Sequence, residues 1–242
     1  MKILAIAKRC SKEILRDPLT LLFGLGFPII LLFLLSLIQS NIPNEFFNLE
    51  SLTPGITIFG LSFISLFAAT LISKDKESAF LQRLYTTPLT SIDFILGYIL
   101  PFIPIATIQG GICYLFAILL GLTPSVNILF ALLSLIPLSI FYISLGLLCG
   151  SIFNVKQVGA ICGALLTNLS AWLSGIWFDI SYIGGLSKVA NLLPFFHAVE
   201  LEKNIINGDL TNISFHLIVV AIYTVLTLLF SIFIFVRQIK KL

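Results

Sequence analysis

The chain has 242 residues, 58% hydrophobic and 10% charged, with a formal net charge of +3, against about 25% charged residues in an average soluble domain. A mean hydropathy of +1.10, carried by recurring apolar runs of roughly 20 residues, excludes an ordinary soluble protein and makes a bilayer the expected solvent. The longest polar stretches, 74–93 and 179–212, are shorter than the ~50 residues of a small independent domain, which excludes a separate soluble catalytic domain.

Residues 2–17 open the chain with an amphipathic pattern. At 100° per residue, Ile3, Leu4, Ile6, Ala7, Cys10, Ile14 and Leu15 fall on one arc, and Lys2, Lys8, Arg9, Lys12 and Arg16 on the other. This predicts an interfacial helix within 1–18, its apolar face at the acyl boundary and its basic face toward anionic head groups or a cytosolic partner. Pro18 disfavours helical geometry at Asp17 and ends it. The plainer alternative is a basic flank that only orients the first span.

Six spans follow, at 19–39, 52–72, 94–120, 126–153, 157–178 and 213–236. The first is too long and apolar for the core of a cleaved signal peptide, so it is expected to remain as an anchor. Pro101 and Pro104, with Gly110 and Gly111, predict a kink in the third span, and Pro137 one in the fourth. Gly146 with Gly150, and Gly159 with Gly163, have the four-residue spacing that lets helix backbones approach, and predict packing seams. Cys10, Cys113, Cys149 and Cys162 read as small packing residues.

Twelve of the 14 Lys and Arg fall in the two terminal segments, the 74–93 loop and the turn at Lys156; only Lys188 and Lys203 fall on the other side. The positive-inside rule then places both termini and that loop in the cytosol of a cell whose cytoplasmic membrane the chain crosses. No span carries Asp, Glu, Lys or Arg well inside its ends, which argues against a gradient-driven carrier, a channel or an intramembrane enzyme. His216, about one turn into the last span, reads as a lone boundary residue. His197, Glu200 and Glu202 are close in sequence, yet no second histidine completes a zinc-like spacing, so no metal is expected. The phosphate-binding pattern GxxxxGK[ST] is absent, so the chain is expected to bind no nucleotide, and neither a cofactor nor a catalytic residue is assigned.

The cytosolic loop carries the most specific signal. A short helix over 75–85, stopped by Pro88, brings Phe80, Leu81 and Leu84 together, flanked by Lys76, Glu77 and Arg83. An apolar knob with a charged rim suits a partner's groove; the other use open to it is to rest on the membrane surface.

Here the chain resembles the permease subunits of type-2 ATP-binding-cassette exporters. Their pattern runs approximately as basic-Glu-x-Gly-Thr-Leu-Glu-x-Leu-x-x-Thr-Pro-Leu, followed by a span entered through a glycine. Lys76-Glu77 form the opening pair, Leu81 and Leu84 the two leucines, Thr87-Pro88-Leu89 the terminator and Gly97 the entry glycine; Ala79, Phe80 and Gln82 depart from the pattern. The likeness extends over nearly the whole chain, from Arg16-Asp17-Pro18 to the 179–212 segment with Gly184-Gly185, Leu192-Leu193-Pro194, the run Phe195-Phe196-His197-Ala198-Val199, and Asn207-Gly208.

The resemblance implies an all-α integral membrane protein, a single permease domain over 1–242 with a coupling loop at 74–92 and an outer re-entrant region at 179–212. It further implies two permeases, as copies or homologues, that form a membrane path driven by two cytosolic ATPase subunits which bind the ATP. Lys76, Glu77, Phe80, Leu81, Arg83 and Leu84 would contact the ATPase. The expected cargo is an amphipathic or lipidic compound such as a drug, antibiotic peptide or glycolipid. Membrane lipid is a further partner, and nucleic acid is not one.

Overall fold

The computed structural model describes residues 2–41, 48–78, 80, 90–178, 180 and 184–239. Among the described residues the chain is all-helical, as a bilayer demands of backbone groups that must find partners within their own segment. Among the described residues five helices are long and apolar enough to cross a membrane: Leu22–Asn41, Leu49–Glu77, Ile92–Leu120, Asn127–Ile152 and Ile213–Ile234.

Helix α1 (Lys2–Leu15) buries Ile6, Ala7, Cys10 and Ile14 and exposes Lys8 and Lys12. The buried stripe packs on α5 (Ser91–Ile99), where the missing side chain of Gly97 admits Ile6; a Cβ there would stand 2.7 Å from the Ile6 Cβ. The face expected at the acyl boundary is therefore largely covered by protein, with Leu4 and Leu15 left exposed. A stripe of apolar residues is the same whether lipid or another helix covers it.

Next come α2 (Pro18–Leu21), a wide π-turn segment (Leu22–Gly26) and α3 (Phe27–Asn41) in one rod. Pro28 lacks an N–H, and its ring crowds the carbonyl four residues earlier, at Gly24; the turns widen there. Helix α4 (Leu49–Glu77) is by far the most enclosed of the five. It packs on α3, on α6 (Phe102–Leu120), on α7 (Asn127–Ile152) and on α11 (Pro194–Asn207).

Helix α5 starts at a capping box in which the Thr90 hydroxyl accepts from the Asp93 N–H at 3.2 Å and Asp93 accepts from the Thr90 N–H at 3.1 Å. The third span breaks between Ile99 and Phe102, beside Pro101. Helix α7 continues through Pro137 without a break. Its Gly146 and Gly150 lie against the α4 backbone: a Cβ would meet the Ser65 carbonyl oxygen at 2.2 Å and the Ala69 carbonyl oxygen at 2.5 Å.

The region expected as a span at 157–178 is a rod of three contiguous pieces, α8 (Val155–Val158), a π segment (Gly159–Leu166) and α9 (Thr167–Leu173). It is not among the five membrane-length apolar helices; Lys156, Gln157, Thr167 and Asn168 dilute its apolar run. A Cβ on Gly159 would meet nothing within 4 Å, and one on Gly163 would make an ordinary contact with Leu66 at 3.5 Å. Two short helices, α10 (Gly184–Ala190) and α11, precede the last helix, α12 (Ile213–Ile239). Pro194 opens α11, and Gly208, at φ +73°, closes it in the left-handed conformation that glycine adopts without a Cβ penalty.

Candidate functional site

The end of α4 carries Lys76 and Glu77, two of the six residues singled out in the cytosolic loop, and Phe80 follows it. The helix runs on to Glu77 without a stop, so Asp75, Lys76 and Glu77 extend the second span and do not begin a separate helix. Leu81, Arg83 and Leu84, with the Thr87-Pro88-Leu89 terminator, lie outside the described residues. The Lys76 ammonium donates to the carbonyls of Gly150, Ser151 and Phe153 at 3.2, 3.0 and 2.7 Å. These belong to the last turn of α7 and its C-cap, where unpaired carbonyls and the helix dipole attract a cation. Glu77 accepts from the Val155 N–H at 3.0 Å, at the start of α8. The two charges thus hold both sides of the turn between α7 and α8.

Asp75 is buried, and the Arg9 guanidinium of α1 grips it with both terminal nitrogens while the Tyr98 hydroxyl of α5 donates to it as well. Arg9 also pairs with Glu13 at 2.6 Å and lies over the Phe80 ring, 4.2 Å from its centroid. A buried carboxylate is tolerable only with such partners. The cluster joins α1, α4 and α5 at one point and attaches Phe80 to it. Burial pushes the neighbouring Cys10 thiol up to about 12, which keeps it protonated and inert.

A second set of polar groups surrounds α11. His197 Nδ1 lies 2.8 Å from His216 Nδ1 of α12, and His197 Nε2 lies 2.9 Å from the Asn191 carbonyl. Since the carbonyl only accepts, His197 Nε2 carries the hydrogen; Nδ1 of the neutral ring then accepts from His216. His216 is therefore a buried, paired residue and not a lone boundary histidine; the partner comes from 19 residues earlier in the chain. Among the described residues no group of His, Cys, Asp and Glu could hold a metal ion. Lys203 pairs with Glu200 at 3.1 Å.

Glu202 was visible in the sequence only as a weak metal candidate. It is fully buried, 2.9 Å from the Tyr114 hydroxyl of α6 and 2.6 Å from the Ser134 hydroxyl of α7. Its signal is positional: Ala198, Leu201, Glu202 and Ile205 share one buried face of α11, so the carboxyl sits in the middle of an apolar stripe.

Apolar helices around one enclosed helix, with charges gathered at helix ends and on the segment before the last span, define a helical membrane protein. A family model for the ABC-2 type transporter matches residues 1–206, and the chain belongs to that family. It is 28% identical over 211 residues to a Cyanophora paradoxa protein named "Putative transport permease ycf38", a match covering 82% of this chain and 72% of that one. The family is one of membrane transport permeases, generally not catalytic themselves and generally working with ATPase partners.

Proposed function

We propose that this chain is the membrane-spanning permease subunit of an ATP-driven exporter in the cytoplasmic membrane, working as a pair of permeases with two separate ATPase subunits. The observation that carries the reading is the family match over 1–206, which includes the Lys76-Glu77 to Thr87-Pro88-Leu89 motif. The absence of a phosphate-binding loop agrees with hydrolysis on another chain. In this reading 157–178 makes the remaining crossing, both termini are cytosolic, and α10 and α11 form the outer re-entrant region. The cargo is an amphipathic or lipidic compound such as a drug, antibiotic peptide or glycolipid.

The contact with the ATPase is the 75–85 segment, with Phe80, Leu81 and Leu84 as the apolar knob and Lys76, Glu77 and Arg83 as its rim. Attachment of Phe80 and Asp75 to Arg9 supports a mechanical role for this end of α4. Affinity purification of the full chain is expected to bring down a cytosolic ATPase, and Leu84→Asp to lose it while Gln82→Ala retains it. Burying an unpaired carboxylate costs several kcal/mol, which lowers affinity by orders of magnitude. Stoichiometric ATP binding by the isolated chain, or unchanged ATPase recovery and transport in Leu84→Asp, would overturn the assignment.

A further inference from the structure

Among the described residues two carboxyl groups are buried, Asp75 and Glu202, and their partners differ in kind. Asp75 is gripped by the Arg9 guanidinium. Glu202 meets two hydroxyls, from Tyr114 and Ser134. The cation nearest to it in sequence, Lys203, is paired with Glu200.

The hydrogen count around Glu202 decides its state. The Ser134 hydroxyl lies 2.8 Å from the Ala131 carbonyl and 2.6 Å from Glu202 Oε1, and it owns a single hydrogen. A carbonyl only accepts. With an ionised Glu202, one of these two short oxygen–oxygen contacts would have no hydrogen in it. With a protonated Glu202, Ser134 donates to Ala131, Glu202 Oε1–H donates to Ser134, and the Tyr114 hydroxyl donates to Oε2 at 2.9 Å. Every contact is then filled by a neutral acid.

We propose that Glu202 is a proton-binding site: a carboxylic acid held neutral between Tyr114 and Ser134, whose proton latches α11 to α6 and α7 and whose loss loosens that contact. The ligand is a proton, which leaves to hydroxide in bulk water. Burial pushes this carboxyl up to about 8, the direction the hydrogen count requires. Among the described residues, the ionisable groups on the elements packed against α11 form no ion pair with Glu202. On α6 they are Tyr114 and Cys113, and on α7 Tyr142, which bonds to Ser170, and Cys149. On α4 they lie at the ends, Glu50 and Lys74 to Glu77. On α12, His216 bonds to His197 near the start, Tyr223 donates to the Leu192 carbonyl, and Arg237 lies at the far end; α10 carries Lys188. The site is independent of any ATPase and of the proposed transport reaction.

The test is infrared spectroscopy of the full chain in phosphatidylcholine nanodiscs. At about pH 6 a carbonyl stretch of a protonated carboxyl is expected, absent from Glu202→Gln and losing half its amplitude near pH 8. Tyr114→Phe removes one hydrogen bond to that carbonyl and should shift the band to higher frequency, a readout that does not depend on Glu202→Gln folding. Amide exchange across α11, corrected for intrinsic rates, is expected to quicken by tenfold or more between about pH 6 and pH 9, because the ionised fraction rises tenfold per pH unit below the midpoint. Absence of the band at about pH 6, a band that Tyr114→Phe leaves in place, or exchange unchanged over that range would overturn the proposal.

Discussion

Replacing Gly146 by alanine tests the central packing of the bundle with a single methyl group. Its Cβ would stand 2.2 Å from the Ser65 carbonyl oxygen, 2.9 Å from the Ser65 carbonyl carbon and 3.1 Å from the Ala68 Cβ, where ordinary contact begins at 3.4 Å. The obstacle is backbone of a 29-residue helix, so no side chain can swing aside and α4 and α7 must separate by about 1 Å. A gap of that size forfeits roughly a quarter to a half of each contact's dispersion energy along the seam, and overpacking of this kind costs about 1–3 kcal/mol. For a chain of this length that corresponds to a melting temperature lower by roughly 2–12 °C. Thermal unfolding of the detergent-purified chain, followed by the fluorescence of Trp172 and Trp177, measures it. Gly159→Ala is the control: open space surrounds that position, and the substitution should be neutral or slightly stabilising. Wild-type stability in Gly146→Ala, or an equal loss in Gly159→Ala, would refute the seam.

Arg9→Ala leaves Asp75 buried without its cation and should cost about 3–5 kcal/mol, read as protease sensitivity of residues 2–15; adding Asp75→Asn should restore most of the protection. The Glu202 carboxyl, raised from 4.5 to about 8 by burial, makes folding take up a proton between those values. Stability is therefore highest at acid pH and falls by about 1.4 kcal/mol per unit as pH rises through that window, then levels off. A flat profile in Glu202→Gln beside a falling one in the wild type is the expected pattern, and two flat profiles would contradict it. In intact cells, cysteines at positions 78 and 240 should resist an impermeant outside reagent while those at 45 and 188 react; labelling of position 78 would invert the orientation.

Much of the fold was legible because hydropathy and helix breakers act locally. Five spans lie where the apolar runs put them, and the third breaks beside Pro101. What depends on a neighbour was not legible. Gly146/Gly150 and Gly159/Gly163 have the same spacing, yet only the first pair abuts carbonyls of another helix. The apolar face of α1 was expected at the acyl boundary, whereas α5 covers most of it. His216 looked solitary because its partner is on another helix. Glu202 stood in a segment without a spanning run and was read only as a weak metal candidate, whereas α11 carries it into a buried contact with Tyr114. Of the loop residues, the spacing of Lys76 and Glu77 suggested a rim for a partner, but did not reveal that both already hold the turn between α7 and α8.

The enclosed position of α4 has a consequence for how the protein is made. Thr53, Thr57, Ser62 and Ser65 of this helix are buried, and the helix packs most extensively on α7, which lies later in the chain. At roughly 5–20 residues per second of synthesis, α7 is complete only seconds after α4, once residues 78–152 have been polymerised. Until then those hydroxyls face lipid or the insertion machinery, and Ser62 shelters its own by donating to the Phe59 carbonyl at 2.6 Å. The helix that becomes most enclosed is thus inserted before its principal neighbour exists, and biogenesis depends on keeping 49–77 in a half-built bundle until α7 arrives to close over it.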